Sequence, residues 1–300
     1  MGPAHIHTGT AQAGGTRRDL ALTIGVTGFV MLVEIAGGLR ANSLALLSDA
    51  GHMLTDLLAL AMALFAVVVA CRPATARKTY GYHRVEILSA LTNGILLAVI
   101  SLVIFVEAWR RLMDPQPVSG GLVMAVAAVG LAANLVCYAI LSRSSRSINV
   151  RSARMHVTGD ALSSAGVIGG GVIISMTSWY RIDALLSFAI GVAILVGAYR
   201  IVRETVDILL EGTPRGLDPA EVARAIETMP GVRGVHDLHI WCITSGMTAL
   251  SGHVILDGAA LARSDDALNH MKEMLRLRFL IEHTTIQIES ESYTEVGEVH

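Results

Sequence analysis

The chain reads as an α-helical membrane protein: six transmembrane helices, then a C-terminal cytoplasmic α+β domain of order α-β-β-α-β. Three observations say so. Of its 300 residues 53% are hydrophobic, and the mean hydropathy of +0.56 lies above the soluble range. Six apolar runs are each near or above the roughly 20 residues that cross a bilayer as helix. Charge is split, with sixteen Lys+Arg against eleven Asp+Glu in residues 1–210 and seven against fourteen in 211–300. That split divides a leader (1–19) and a six-helix membrane domain (20–210) from an acidic soluble domain (211–300).

The six runs are Leu20–Leu39, Leu44–Ala70, Val85–Trp109, Gly121–Leu141, His156–Trp179 and Ala184–Ile201. Breakers separate them: "RANS", "CRPATARKTYGYHR", "RRLMDPQPVSG", "SRSSRSINVRSAR" and "SWYRID". The leader has no apolar core of its own, so no cleaved signal peptide is expected, and His5 and His7 read as part of a short disordered leader. With the N-terminus in the cytoplasm, twelve Lys+Arg flank the inner side of the spans and four the outer side. This positive-inside bias places both termini in the cytoplasm of a multi-pass protein of the cell inner (plasma) membrane.

The soluble domain opens with "DPAEVARAIETM", a helix start with Asp218 as N-cap and Pro219 in the first turn. "GVHDLHIWCIT" and "MTALSGHVILD" read as strands joined at "SGM"; "SDDALNHMKEMLRLRF" is an amphipathic helix; "HTTIQIES" alternates as a third strand. The order predicts helices on one face of a three-stranded sheet. No phosphate-binding glycine loop occurs, and the acidic balance excludes nucleic acid as a partner. Cys71, Cys137 and Cys242 form neither a CxxC nor a disulfide framework.

The second span carries "SDAGHMLTD", with His52 and Asp56 at i and i+4, on one helical face. The fifth repeats it: in "MHVTGDALSSAGVI", His156 and Asp160 stand at the same spacing. An ionisable group in the middle of a span costs at least about 2.5–3.5 kcal/mol, which marks it as functional. Two imidazoles and two carboxylates make a four-donor N/O set that suits tetrahedral Zn²⁺. Proton binding at the same donors competes with the metal. The structural alternative is a pair of His–Asp couples locking the bundle; no packing rule requires the same order in both helices. An intramembrane metallohydrolase would need an HExxH-like frame and an open coordination position, and a channel would avoid so deep a trap. Neither suits this chain, which reads as a carrier and not an enzyme.

Together "NSLALLSDAGHMLTD", "KTYGYHRVEILSALTNG", "HVTGDALSSAGVI", "GVHDLHIW" and "HTTIQIE" closely resemble the cation diffusion facilitator family, in particular its bacterial zinc-efflux branch. The motifs agree in order and spacing from about Leu20 to Ser290. The resemblance implies a ferredoxin-like cytoplasmic domain, a homodimer, and divalent-cation/proton antiport. It implies transport ligands at His52, Asp56, His156 and Asp160, the residues that burial singles out. It links this His-Asp/His-Asp set to zinc, sometimes with cadmium or cobalt, and imidazole softness ranks zinc over manganese and magnesium in the same way.

In the soluble domain, which holds six of the eleven histidines, the family's ligands fall on His236, His253, His283 and Glu289. Zn²⁺ is thus expected as substrate and as a regulatory ligand, with no resident cofactor; the partners expected are a divalent metal ion, protons, membrane lipid and a second copy of the chain. His239 differs in strand parity from His236 and is expected in the core or an interface; His270 and His300 are expected at the surface. His83 sits among basic and aromatic neighbours and is not expected to bind metal. Glu34, Glu86, Glu107, Asn42, Asn93, Asn134 and Asp183 are expected as interhelical or interfacial polar groups, and Asp49 as a helix-entrance carboxylate. Gly166 and Gly170, four apart, are expected to let the fifth helix approach the second.

Overall fold

The structure, a computed structural model, describes residues 9–143 and 148–293; His5, His7 and His300 lie outside the described residues. Six long helices come first: α1 (Gly9–Ala41), α2 (Leu44–Ala70), α3 (Arg84–Met113), α4 (Gly120–Arg143), α5 (Ile148–Thr177) and α6 (Arg181–Leu209). All six are long and apolar enough to span a membrane. The second matches its predicted run, Leu44–Ala70, and the fifth ends at Thr177, short of the predicted Trp179; the others overrun at polar ends, because turns such as "RETVD" keep the helical hydrogen-bond ladder beyond the apolar stretch. At the other end of the chain α1 starts at Gly9, well inside the leader expected to be disordered.

Burial is inverted relative to a soluble protein. Phe29, Leu64, Val103 and Leu162 are exposed, while Glu34, Asp49, Asp160 and Asp183 are buried. Lipid can cover the former; the latter need partners inside the bundle.

The described residues form two compact units, one of residues up to Met62 with Thr92–Arg200, the other of Ala63–Leu91 with residues from Ile201 onward. In the first, α4 packs against both α1 and α5. Ala41, Ala45, Leu46, Val126, Ala127, Val167 and Ile174 form a core that seats the start of α2 on α4 and α5. That start is capped from α6. Asp183 accepts hydrogen bonds from Ser43 Oγ at 2.5 Å, Leu44 N at 2.7 Å and Ala45 N at 3.3 Å, and Arg111 of α3 stands 3.8 Å away. The carboxylate satisfies amides that the first turn of a helix leaves unpaired.

In the second unit, α7 (Pro219–Glu227) is capped by Asp218, which accepts from Ala220 N at 2.9 Å. Strands β1 (Val232–Thr244) and β2 (Met247–Leu256) form an antiparallel hairpin whose turn uses Gly246 at φ +77°. A short α8 (Gly258–Leu261), absent from the predicted order, and α9 (Ser264–Phe279) then carry the chain back to β3 (Ile281–Ser290), parallel beside β2. The sheet order is β1-β2-β3. Val222 and Ile226 of α7 and Met271 and Leu275 of α9 bury one sheet face with Ile240, Leu250, Val254 and Leu256. Beyond the register shift that follows Ile281, the odd-numbered residues of β3, Glu289 among them, lie with His253 of β2 on the other face.

Candidate metal centres

The site between α2 and α5 is assembled by helical spacing on each side and by side-chain contacts across the gap. Along α2, His52 Nε2 lies 3.7 Å from Asp56 Oδ2; along α5, His156 Nε2 lies 3.7 Å from Asp160 Oδ2. Across the helices, His156 Nε2 comes within 3.2 Å of the same Asp56 oxygen. The two imidazole rings meet edge to face at 5.8 Å between centroids. Ligand atoms of His52, His156 and Asp160 all lie within 4.8 Å of one another. Bonds of about 2.0–2.1 Å to a tetrahedral zinc put its ligand atoms roughly 3.3–3.5 Å apart. The observed spacings of 3.2–3.7 Å need little adjustment to fit such an ion. His52 Nδ1, the ring nitrogen away from Asp56, is buried with no hydrogen-bond partner among the described residues.

Asp49, one turn before Met53 on α2, is buried and accepts a hydrogen bond from Ser163 Oγ of α5 at 2.8 Å. It braces the two helices just beside the site, a deeper role than the helix entrance expected for it. The glycines are a correction. A side chain at Gly170 would strike Leu186 of α6, and one at Gly166 would meet nothing within 4 Å, so neither opens the way to α2. The small residues of α5 serve its packing on other helices, and the Asp49–Ser163 bond and the His–Asp donors bridge to α2.

A second cluster sits on the open face of the sheet. His236 and His253 are cross-strand partners, with ring centroids 5.0 Å apart. Between them Glu289 of β3 places Oε2 3.0 Å from His236 Nε2 and Oε1 2.9 Å from His253 Nδ1. Gln287 Nε2 donates to Glu289 Oε1 at 2.9 Å. Burial pushes the Glu289 carboxyl up, but the hydrogen bonds from His236 and Gln287 and the charges of His236 and His253 outweigh it and hold its pKa below the ordinary range. The carboxylate is thus kept ionised, as a metal ligand must be.

His283, expected in this cluster, is not brought to it. It pairs with Ala249, and its exposed ring stands edge to face with Tyr80 at 6.5 Å. Six residues of strand separate it from Glu289, roughly 20 Å at about 3.3 Å per residue. Asp237 is the residue that sequence reasoning passes over: its Oδ2 lies 3.9 Å from His253 Nε2 and its Oδ1 2.9 Å from His239 Nε2. A β-bulge explains this. Between the pairs His236↔His253 and His239↔Ser251, β1 has one residue more than β2, and Asp237 takes a left-handed φ of +48°. The extra residue returns His239 to the face of His236, half exposed, so of the core or interface expected for it the core is not where it lies. His270 is exposed on α9, as expected.

Residues 20–210 match the family model for the cation efflux transmembrane domain, and residues 214–291 match that for the cation efflux protein cytoplasmic domain. The chain belongs to the cation efflux family. It is a multi-pass membrane protein and a divalent metal cation efflux transporter. Among its relatives, the metal cation efflux system protein CzcD of Cupriavidus metallidurans is 41% identical over 96% of this chain and 90% of its own. The zinc transporter ZitB of Escherichia coli is 40% identical over 96% of this chain and 93% of its own. The cadmium, cobalt and zinc/H(+)-K(+) antiporter of Bacillus subtilis is 38% identical over 93% and 91%.

Proposed function

We propose that this protein exports zinc, and with lower preference cadmium or cobalt, from the cytoplasm in exchange for protons. A tetrahedral site of His52, Asp56, His156 and Asp160 carries the ion by alternating access between α2 and α5. Ligand atoms of His52, His156 and Asp160 gather within 4.8 Å of one another, and Asp56 Oδ2 lies 3.2 Å from His156 Nε2 and 3.7 Å from His52 Nε2; this meeting of two helices is the observation that carries the reading. The names of the relatives, a zinc transporter and an antiporter of cadmium, cobalt and zinc, support the choice of ion and the exchange. Ligand chemistry supports proton coupling as well, since imidazole and carboxylate bind metal only without their protons.

On this reading the protein is a homodimer of the inner membrane with both termini in the cytoplasm, where the tail domain senses zinc at His236, His253 and Glu289. Asp237 is within reach of the same ion after a small side-chain movement. Bound cations there offset part of the acidic domain's charge and favour a closer pair of tails.

Uptake into proteoliposomes with an acidic lumen, run against zinc, cadmium, cobalt, manganese and magnesium, tests the proposal. Zinc should accumulate in the lumen only while the proton gradient lasts. A flux indifferent to the gradient contradicts proton exchange; manganese or magnesium uptake equal to that of zinc contradicts the assigned ion.

A further inference from the structure

A further buried carboxyl lies in the same unit as the transport site and outside its ligand set. Glu34 of α1 is 1% exposed. A Cβ on Gly130 of α4 would lie 2.8 Å from Glu34 Oε1 and 3.4 Å from Ser164 Oγ of α5. The bare glycine therefore makes the room that the carboxyl occupies, and Glu34 and Ser164 border one spot. Glu34 Oε2 and Ser164 Oγ are both buried without a hydrogen-bond partner among the described residues. Ser164 is one turn past Asp160 on α5, hence on the ligand-bearing face.

The charged groups that act on Glu34 are Asp49 of α2 and Asp160 of α5. Both carry its own sign, and Gly130 offers no charge from α4. Asp160 has the His156 imidazole beside it at 3.7 Å and Asp49 the Ser163 hydroxyl at 2.8 Å, whereas Glu34 Oε2 has no partner among the described residues, so Glu34 is the carboxylate whose charge is left uncompensated in the apolar bundle. A divalent cation at the ligand site supplies positive charge during part of the cycle; a proton must supply it during the rest.

We propose that Glu34 is a proton-binding residue of the exchange. This rests on the proton-exchange reading above. Glu34 holds a proton while the four ligands carry no cation. When the divalent ion arrives, its field favours the carboxylate, and the proton leaves to water on the side the site then faces. After the ion departs to the opposite side, a proton from that side replaces it. Each turn then moves one proton through Glu34 against the ion, in addition to those shed by the ligands themselves.

The test counts protons released on zinc binding to the full-length protein, by calorimetry in two buffers of different ionisation enthalpy. Glu34→Gln keeps the shape of the neutral acid, and is expected to release about one proton fewer per zinc than the wild type. Equal counts overturn the proposal while leaving the exchange reading intact. A wild type that releases no proton on binding zinc defeats both. Should Glu34→Gln not fold, Glu34→Asp is read instead: a shorter acid sits differently against Gly130 and Ser164, so the pH midpoint of release should shift, and an unchanged profile overturns the proposal.

Discussion

His156 of α5 and Asp56 of α2 meet across the bundle with Nε2 and Oδ2 3.2 Å apart. This contact ties the two ligand couples together, so neither couple is independent of the other. Removing one carboxylate leaves three donors, two imidazoles and a single carboxylate, short of the tetrahedral set. Asp56→Ala and Asp160→Ala should each drop zinc flux in proteoliposomes to the level of empty vesicles while leaving a monodisperse, helical protein. Wild-type flux from either variant rules the four-ligand site out.

The imidazole of His52 is the soft partner on α2. Replacing it with aspartate makes that helix's contribution all oxygen, which favours harder ions. His52→Asp should lower the zinc-to-manganese flux ratio, in the direction that ligand type sets. An unchanged ratio in the same vesicles shows that selection resides elsewhere.

Asp183 acts at a distance, through the start of α2. Its carboxylate holds Ser43 and the amides of Leu44 and Ala45, and Arg111 faces it. Breaking a buried pair by removing one member typically costs about 3–5 kcal/mol. Asp183→Ala should therefore lower the melting temperature in detergent, and Asp183→Asn, which still accepts from the amides, should recover part of the loss. Melting curves of both variants identical to wild type contradict the capping role.

Much of this site can be read directly from the chain, and the failures have definite physical causes. H-x-x-x-D is visible because helix periodicity places i and i+4 together wherever the helix runs straight. Strand parity is less forgiving: one bulged residue at Asp237 reverses the positions of β1 from His239 to Cys242, and the sequence carries no clear sign of it. His283 fails for a simpler reason, since similarity of motif says nothing about the distance a strand covers between two of its residues. The neighbours of Gly166 and Gly170 depend on how α5 is rotated in the bundle, which local composition does not determine. By contrast, the six spans and the capped α7 follow from apolar length and from Asp218–Pro219, both local signals.

Glu289 gives the tail domain a pH dependence of known sign. Its pKa is depressed in the folded protein, so its ionised form favours folding. That contribution is complete above the ordinary carboxyl value near 4.5 and disappears as pH falls through the lower folded value. In metal-free protein held in chelator, the tail's unfolding midpoint should fall as the pH is taken from 6 towards 3. Glu289→Gln should flatten that fall. A variant whose pH profile overlays the wild type's shows that the His236 and His253 contacts do not hold the carboxylate.

X-ray absorption at the zinc edge reports what touches the ion at its place in the membrane. The sample is full-length protein carrying His253→Ala and Glu289→Ala, so that the tail cluster cannot contribute. The expected result is one zinc per protomer, with two imidazole nitrogens and two oxygens at about 2.0–2.1 Å, lost when His52 and His156 are also replaced. Sulfur in the coordination shell, or zinc retained after both histidines are gone, would contradict a site built from His52, Asp56, His156 and Asp160.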